Sequence, residues 1–256
     1  MNPNFPNESQ YQELLSPYDI IDLPSEGKFY HNKLSKVKIE YLNALDETIL
    51  TSPNIAKNGK FLDILVKRKV KDLNGLDPLD LLLGDRLAII VYLRVTGFGP
   101  IYNVPVQLDG SDKVVMGEVD LTTIKPKKLN INPDDKGEFE FKLPMSGKMI
   151  KFRFLTGRDE QDIDARNEVL SERNSDGVSE AARLRLESMI MEIDGIRDKM
   201  KISNMLNKIP LKDSLEFKKY YSIIEPGLNM NVEVRIPGGE SITSFLTFGS
   251  NFFWIE

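Results

Sequence analysis

The chain contains no cysteine. That excludes disulfides, cysteine-ligated zinc, iron–sulfur clusters and thiol catalysis. Histidine is nearly as scarce, and His31 alone would have to carry any imidazole metal site or histidine-assisted nucleophile. It stands in Tyr30-His31-Asn32-Lys33, a polar turn, where an exposed loop side chain is the simpler reading. Long apolar runs are also missing. The longest stretches, such as Leu87-Ala88-Ile89-Ile90-Val91-Tyr92-Leu93, fall far short of a membrane span. The first residues, Met1-Asn2-Pro3-Asn4-Phe5-Pro6-Asn7-Glu8, lack the basic-then-apolar pattern of a secretory signal. A soluble protein made in a cytoplasm is expected. The formal net charge is −5, which argues against a nucleic-acid binder dominated by phosphate contacts. No cofactor or metal is expected.

Tryptophan occurs once, and its position is informative. Trp254 stands in the closing Asn251-Phe252-Phe253-Trp254-Ile255-Glu256, behind two phenylalanines. Each such ring buries about 150–250 Å² when it packs. A frayed end would expose that surface for no gain. The aromatic end is therefore expected to dock. Burial in the chain's own β core is favoured over a free hook for a partner.

Residues 1–18 are polar, with Pro3 and Pro6, and read as a flexible arm. Pro24 and Gly27 demand a turn within Ile20–Tyr30, anchored by apolar residues on both sides. Lys36–Glu40 alternates as a short strand. Asn43 can cap a helix through Leu50 that stops at Ser52-Pro53. Lys60–Lys69 has helical spacing. Asp85–Val95 reads as a buried helix with Gly97 at its left-handed end.

From 101 to 155 the character is β. Ile101–Leu108 is one strand candidate. Glu138–Leu143 and Met149–Phe154 alternate as a hairpin around Pro144-Met145-Ser146-Gly147-Lys148, after the loop Asn132–Gly137. Thr156 and Asp159 form a capping box for a charged helix to about Arg173. Asn174–Gly177 reads as a turn and Ser179–Ile193 as a second helix. Asp213–Glu225 is a further helix before Pro226-Gly227. Leu228–Ile236 and Glu240–Phe248 form a closing hairpin around Pro237-Gly238-Gly239. No regular βαβ or solenoid repeat is visible. The class is α+β. The division is an arm at 1–18, an α+β region at 19–156 and a charged helical insertion at 157–225. A C-terminal hairpin with the aromatic tail follows at 226–256, in two β segments that can share one sheet.

No catalytic constellation emerges. Gly97-Phe98-Gly99-Pro100 follows a helix and lacks a lysine for phosphates, so it reads as a helix end. Pro237-Gly238-Gly239 suits a hairpin turn rather than a phosphate cradle. Asp159, Glu160, Asp162 and Asp164 cluster at a helix start, where they favour the helix dipole, with Arg158 and Arg166 compensating. An acid–base pair would need two carboxylates facing across a cleft. Lys125-Pro126-Lys127-Lys128 is a short basic run, weak as a nucleic-acid patch. Arg183, Arg185 and Arg197 suit a projecting helical pair that meets a partner, or a solvated face, which is the simpler reading.

Nine segments, in order over residues 22–254, resemble the baseplate hub proteins of T-even-like phages. The first, Asp22-Leu23-Pro24-Ser25-Glu26-Gly27-Lys28-Phe29-Tyr30, is similar to that family's DLPS-x-G-x-x-Y opening. Ile49–Asn54, Gly59–Leu65, Leu81-Leu82-Leu83-Gly84-Asp85-Arg86 and Leu93–Gly99 follow. Leu143–Gly147, Phe152–Thr156, Glu225-Pro226-Gly227 and Asn251-Phe252-Phe253-Trp254 complete the series. The resemblance implies a component or assembly factor of a contractile-tail baseplate hub. Such a protein binds other tail proteins, with a homo-oligomer in the baseplate compatible, and catalyses nothing. It implies a place in the virion tail or in the host cytoplasm during assembly. Pro24, Gly27, Phe29, Tyr30, Asp85, Arg86, Phe252, Phe253 and Trp254 are the expected structural and interaction residues. Members of the family often carry Cys-x-x-Cys pairs at two hairpin turns, where this chain has Leu108-Asp109-Gly110 and Pro237-Gly238-Gly239. The hairpins are expected to hold without metal. The competing readings are a generic non-viral adaptor and a carboxylate-based hydrolase at a tail tip, using Glu160 and Asp162.

Overall fold

The computed structural model describes residues 17–50, 60–107, 114–173, 179–248 and 252–253. Residues 1–16 of the expected arm at 1–18, the helix stop at Ser52-Pro53, the turn at 174–177, Leu108–Gly110 and Trp254 lie outside the described residues. The arm's expected end is corrected: Pro17 accepts from the Tyr41 N–H and Tyr18 begins a strand, because the neighbouring strand offers both a ladder.

Three antiparallel sheets and seven α-helices make up the described chain, an α+β fold. The first sheet joins β1 (Tyr18–Asp22), β2 (Lys36–Glu40) and β3 (Val70–Lys71) in that order. Val37 and Ile39 on β2 are buried, so one face of this small sheet feeds the core. Between β2 and β3 lie α1 (Ala44–Leu50) and α2 (Lys60–Lys69). Asn43 accepts from the Leu45 N–H, and its own N–H reaches the Asp46 carboxylate at 2.9 Å. Asp46 is wholly buried and holds Arg68 and Lys69 of α2, so a charged triad ties the two helices.

The central helix is α3 (Leu83–Phe98). Its apolar run buries Ile89, Ile90, Val91 and Leu93, as expected for a helix covered on most sides. It runs one turn further than the glycine pattern suggests. Gly97 lies inside the helix, and Gly99, at φ 85°, is the left-handed terminal residue, donating its N–H to Val95 O. The correction has a steric reason. Gly97 faces Leu42, leaving no need for a break there, whereas only the next glycine lies where the chain turns.

The second sheet has the order β10-β9-β5-β4. β4 (Ile101–Gln107) and β5 (Val114–Asp120) pair antiparallel, as do β9 (Asn231–Arg235) and β10 (Ser241–Phe245). Glu118↔Arg235 joins the halves, so two β segments far apart in sequence do share a sheet. The pattern of β5 is hidden in sequence by Gly117. In the fold, a Cβ there would stand 2.5 Å from Val234 Cγ1 of the neighbouring strand.

The third sheet is β6 (Phe139–Lys142), β7 (Met149–Phe152) and β8 (Ile190–Ile193). Here the expected helix over Ser179–Ile193 is corrected. α5 (Ala181–Met189) stops at Met189, and the next four residues form β8 along β7, with Ile150↔Ile193 and Phe152↔Ile190. The segment 157–225 is therefore not a purely helical insertion, since it supplies a strand to the hairpin sheet. It also holds α4 (Gly157–Arg173), α6 (Lys199–Leu206) and α7 (Leu211–Ile224). At the start of α4, Thr156 and Asp159 make the expected reciprocal cap. Burial alone would raise the Asp159 carboxyl, but Arg153 in a two-bond pair and the Thr156 N–H hold it below its ordinary value.

Arg197 closes the turn after β8. It pairs in two bonds with Glu138, at 2.9 and 2.7 Å, and also with Glu192. Glu138 is nearly buried, and this arginine holds its carboxyl below the ordinary value. A lowered folded-state value means that stability is present above the unfolded value and lost as pH falls through the folded one. Arg197→Ala is expected to lower stability at neutral pH, and that difference should shrink as the medium is acidified past the carboxylate range. Urea unfolding of both proteins at a series of pH values checks this. A pH-independent difference would count against the pair.

Candidate functional site

The start of α3 is where separated segments meet. The first N–H groups of any helix lack partners within it. Leu82, at the cap position, has no capping side chain. Neighbouring segments take that role instead. The Leu82 N–H donates to the Tyr30 hydroxyl at 2.9 Å, and the Leu83 N–H to the Leu155 carbonyl at 3.0 Å. Tyr30 in turn donates to Asp85 Oδ2 at 2.6 Å, while the Ser25 N–H donates to Asp85 Oδ1 at 2.8 Å. Asp85 is wholly buried. Burial pushes the Asp85 carboxyl up, and burial with the adjacent carboxylate pushes the Tyr30 hydroxyl up.

The turn that supplies Ser25 and Tyr30 is shaped by Pro24 and Gly27. Both are buried, and Gly27 has φ 72°. A Cβ on Gly27 would lie 2.5 Å from the Lys33 carbonyl oxygen, so the position requires glycine in both conformation and space. Phe29 packs edge-on against Phe154, with centroids 5.2 Å apart.

Arg86 points the other way around the same helix turn. Its guanidinium bonds Asp63 of α2 and donates to the Pro78 carbonyl at 3.0 Å. It lies flat over Gly157, where a Cβ would meet it at 2.7 Å. Gln161 of α4 reaches the second oxygen of Asp63 at 2.7 Å. Gly84, between them, abuts Pro226 and Gly227, which follow α7. Thus Pro24, Gly27, Phe29, Tyr30, Asp85 and Arg86 are brought together in one junction. Asp63, Gly84 and Gly157 belong to it and were not singled out in the sequence, because nothing local marks their partners.

The aromatic end docks at the far end of α3. Phe252 and Phe253 are both buried. The Phe252 ring meets Tyr102 of β4 at 5.1 Å and Phe248 at 3.9 Å. Phe253 stands edge-on to Phe61 of α2 and Phe98 of α3, each at 5.9 Å. Arg94 fastens the main chain here: its Nε donates to the Phe252 carbonyl at 2.7 Å and its Nη1 to Gly99 O at 2.8 Å. Burial lowers the Arg94 guanidinium from its ordinary value. The described tail thus packs against helices as well as the sheet. Phe253→Leu, which keeps much of the apolar volume, should cost about 1–1.5 kcal/mol. Thermal unfolding followed by circular dichroism reads this, and an unchanged midpoint would show that the ring contacts carry little.

The remaining sequence candidates are held within the chain. Glu160 pairs with Arg185, Asp162 with Arg166, and Arg183 with Glu180 and Glu187. The Lys125–Lys128 run lies along the segment after Gly227, with the Lys127 N–H on Gly227 O at 2.8 Å. His31 is exposed. Asp213, read in the sequence only as the start of a helix, is wholly buried and accepts from the Met145 and Ser146 N–H groups, fixing the β6–β7 turn on α7. A polar groove of about 280 Å³ lies between Glu118, Asp120, Lys125, Asn231 and Arg235. Among the described residues no group of three or more histidine, aspartate or glutamate side chains is placed to hold a metal ion, and no helix is long and apolar enough to cross a membrane. The junction is closed, and its Asp85, Tyr30 and Arg86 side chains are paired within the chain while the buried Ser25 hydroxyl has no hydrogen-bond partner, so what it can do is fix segments to one another.

Comparison with protein-family models, curated proteins and solved structures gave no match.

Proposed function

We propose that this protein is a structural or assembly component of the hub region of a contractile-tail phage baseplate, acting through contacts with other tail proteins. The observation that carries the reading is where the resembling segments fall. Asp22–Tyr30 bonds Leu81–Arg86, and Leu155 of the Phe152–Thr156 segment bonds Leu83. Glu225–Gly227 seats on Gly84, while Leu93–Gly99 meets the Phe252-Phe253 pair. Six of the nine segments chosen only for their likeness to one family thus meet one another, with Tyr30, Asp85, Leu155 and Phe252 buried at the contacts. The strand ends at Gln107 and Val114 and the β9–β10 turn, next to which family members often carry cysteine pairs, lie at the same end of one sheet. In this chain the second turn closes by main-chain bonds, Ile236 N–H to Glu240 O and Gly239 N–H to Ile236 O.

Mass spectrometry of purified phage particles, with copy number, and of tails made without the gene tests the reading. The expected result is the protein in the baseplate, or baseplates that stall in its absence. Normal, infectious tails that neither contain nor need the protein would overturn it. Tail genes next to its own would favour it over a non-viral adaptor.

A further inference from the structure

The β10-β9-β5-β4 sheet has two outer strands, and among the described residues neither has a further strand beside it. The two edges are built differently. On β4, the bond from the Leu121 N–H to Pro100 O sets the alternation, so residues 101, 103, 105 and 107 turn their main-chain groups outward. The Ile101 carbonyl already accepts from Arg94 at 3.3 Å, and Pro105 has no N–H. That edge is blunted in the usual way. On β10, the bonds from Leu246 N–H to Met230 O and from Ile236 N–H to Glu240 O bracket the strand. By alternation Ile242 and Ser244 bond β9, and Ser241, Thr243 and Phe245 face outward. Among the described residues nothing blunts this edge. Ser241–Phe245 holds no proline and no charge, and its register with β9 is unbroken. Phe245 ends it with 65% of its surface exposed.

We propose that β10 is a self-pairing edge. Two copies of this chain join there as antiparallel neighbours about a two-fold axis at Thr243, extending each four-stranded sheet into the other. Pairing about that axis sets Thr243 against the partner's Thr243, and Ser241 against the partner's Phe245. Each facing pair exchanges two main-chain hydrogen bonds. An uncharged strand meets itself with no like charges opposed. Since Ser241 stands beside Arg235 on β9, each Phe245 ring comes to rest over the partner's Ser241, next to the partner's Arg235. That covers the exposed ring and sets a guanidinium beside it. A symmetric contact of this kind closes on itself. A five-residue ladder is small against the ~1,200–2,000 Å² of a stable interface, so the dimer is concentration-dependent. The proposal does not depend on the baseplate reading.

Sedimentation velocity over a concentration series tests it. Wild type is expected to show a monomer–dimer equilibrium. Thr243→Pro removes an outward N–H from each copy while leaving the ladder to β9, and should weaken dimerisation about tenfold or more. Thr243→Lys and Thr243→Glu should each be monomeric alone, because like charges then face each other across the axis. Mixed in equal amounts, they should restore the dimer. Circular dichroism confirms that each variant is folded. A wild type that stays monomeric at all concentrations would overturn the proposal. So would a Lys and Glu mixture no more dimeric than either variant alone, whatever becomes of the proline variant.

Discussion

Replacing Asp85 with alanine is expected to lower the stability of the fold by about 3–4 kcal/mol. The carboxylate is wholly buried and accepts two hydrogen bonds from a turn about sixty residues away, Ser25 N–H at 2.8 Å and Tyr30 O–H at 2.6 Å. Alanine leaves both donors buried without acceptors, and each such orphan costs roughly 1–3 kcal/mol. It also frees the Tyr30 hydroxyl that accepts from the Leu82 N–H, so the loss spreads to the start of α3. Asp85→Asn is the informative companion. Its Oδ1 still accepts from Ser25, and only the Tyr30 proton loses its acceptor, so the cost falls to about 1–2 kcal/mol.

The same pair of proteins carries a pH signature. Burial raises the Asp85 carboxyl above its ordinary value of 3.8. A raised folded-state value contributes stability that is fully present below the unfolded value and is lost as pH rises through the folded one. Asparagine does not titrate. The stability difference between wild type and Asp85→Asn should therefore be largest in acid and narrow as pH rises. Urea unfolding of both across that range reads the difference directly. A gap that widens with pH would mean that the carboxylate is stabilised as the anion.

Gly84→Ala is expected to be at least as damaging, about 3 kcal/mol or more, for a purely steric reason. An added Cβ would stand 1.7 Å from the Pro226 carbonyl oxygen and 2.6 Å from its carbon. Both are main-chain atoms, so no side-chain rotation relieves the clash. The segment itself is held, with the Lys127 N–H on Gly227 O and the Asn229 N–H on Lys125 O. Gly97→Ala is the control on the same helix. Its Cβ would meet only the Leu42 side chain, most closely its free end Cδ1 at 2.8 Å. Alanine gains up to about 1 kcal/mol in helix propensity, and the net change should stay within about 1 kcal/mol of wild type. Equal effects of the two substitutions would mean that helix α3 and the segment after α7 are not in fixed contact.

Much of the fold was legible locally. The turn at Pro24 and Gly27 follows from a fixed φ and a φ of 72°. The helix over Asp85–Val95 follows from a mostly apolar stretch longer than most strands and closed by glycine, and the capping box at Thr156 from two side chains three residues apart. The β6–β7 hairpin follows from alternation. The misread stretch Ser179–Ile193 has a clear cause. Leu186, Met189, Ile190 and Ile193 satisfy a helical face as far as Ile193. The last four residues are nevertheless a strand, because β7 offers them a ladder that no local pattern reveals. Local propensity differs by tenths of a kcal/mol per residue, and a row of sheet bonds outweighs it.

The candidate site divides in the same way. By itself the sequence singled out the turn at Pro24 and Gly27, from a constrained φ, and the phenylalanines at 252 and 253, as large rings that gain by packing. Asp85 was picked out only by a family resemblance, not by any local physical pattern. Only the tertiary structure decided what they matter to. Asp85 finds its donors 55 and 60 residues away, and Phe252 is fastened by an arginine 158 residues earlier. Contacts at such separations follow from how helices and sheets pack, and packing selects partners by shape and by unsatisfied hydrogen-bonding groups. Neither quantity is written in the order of the residues.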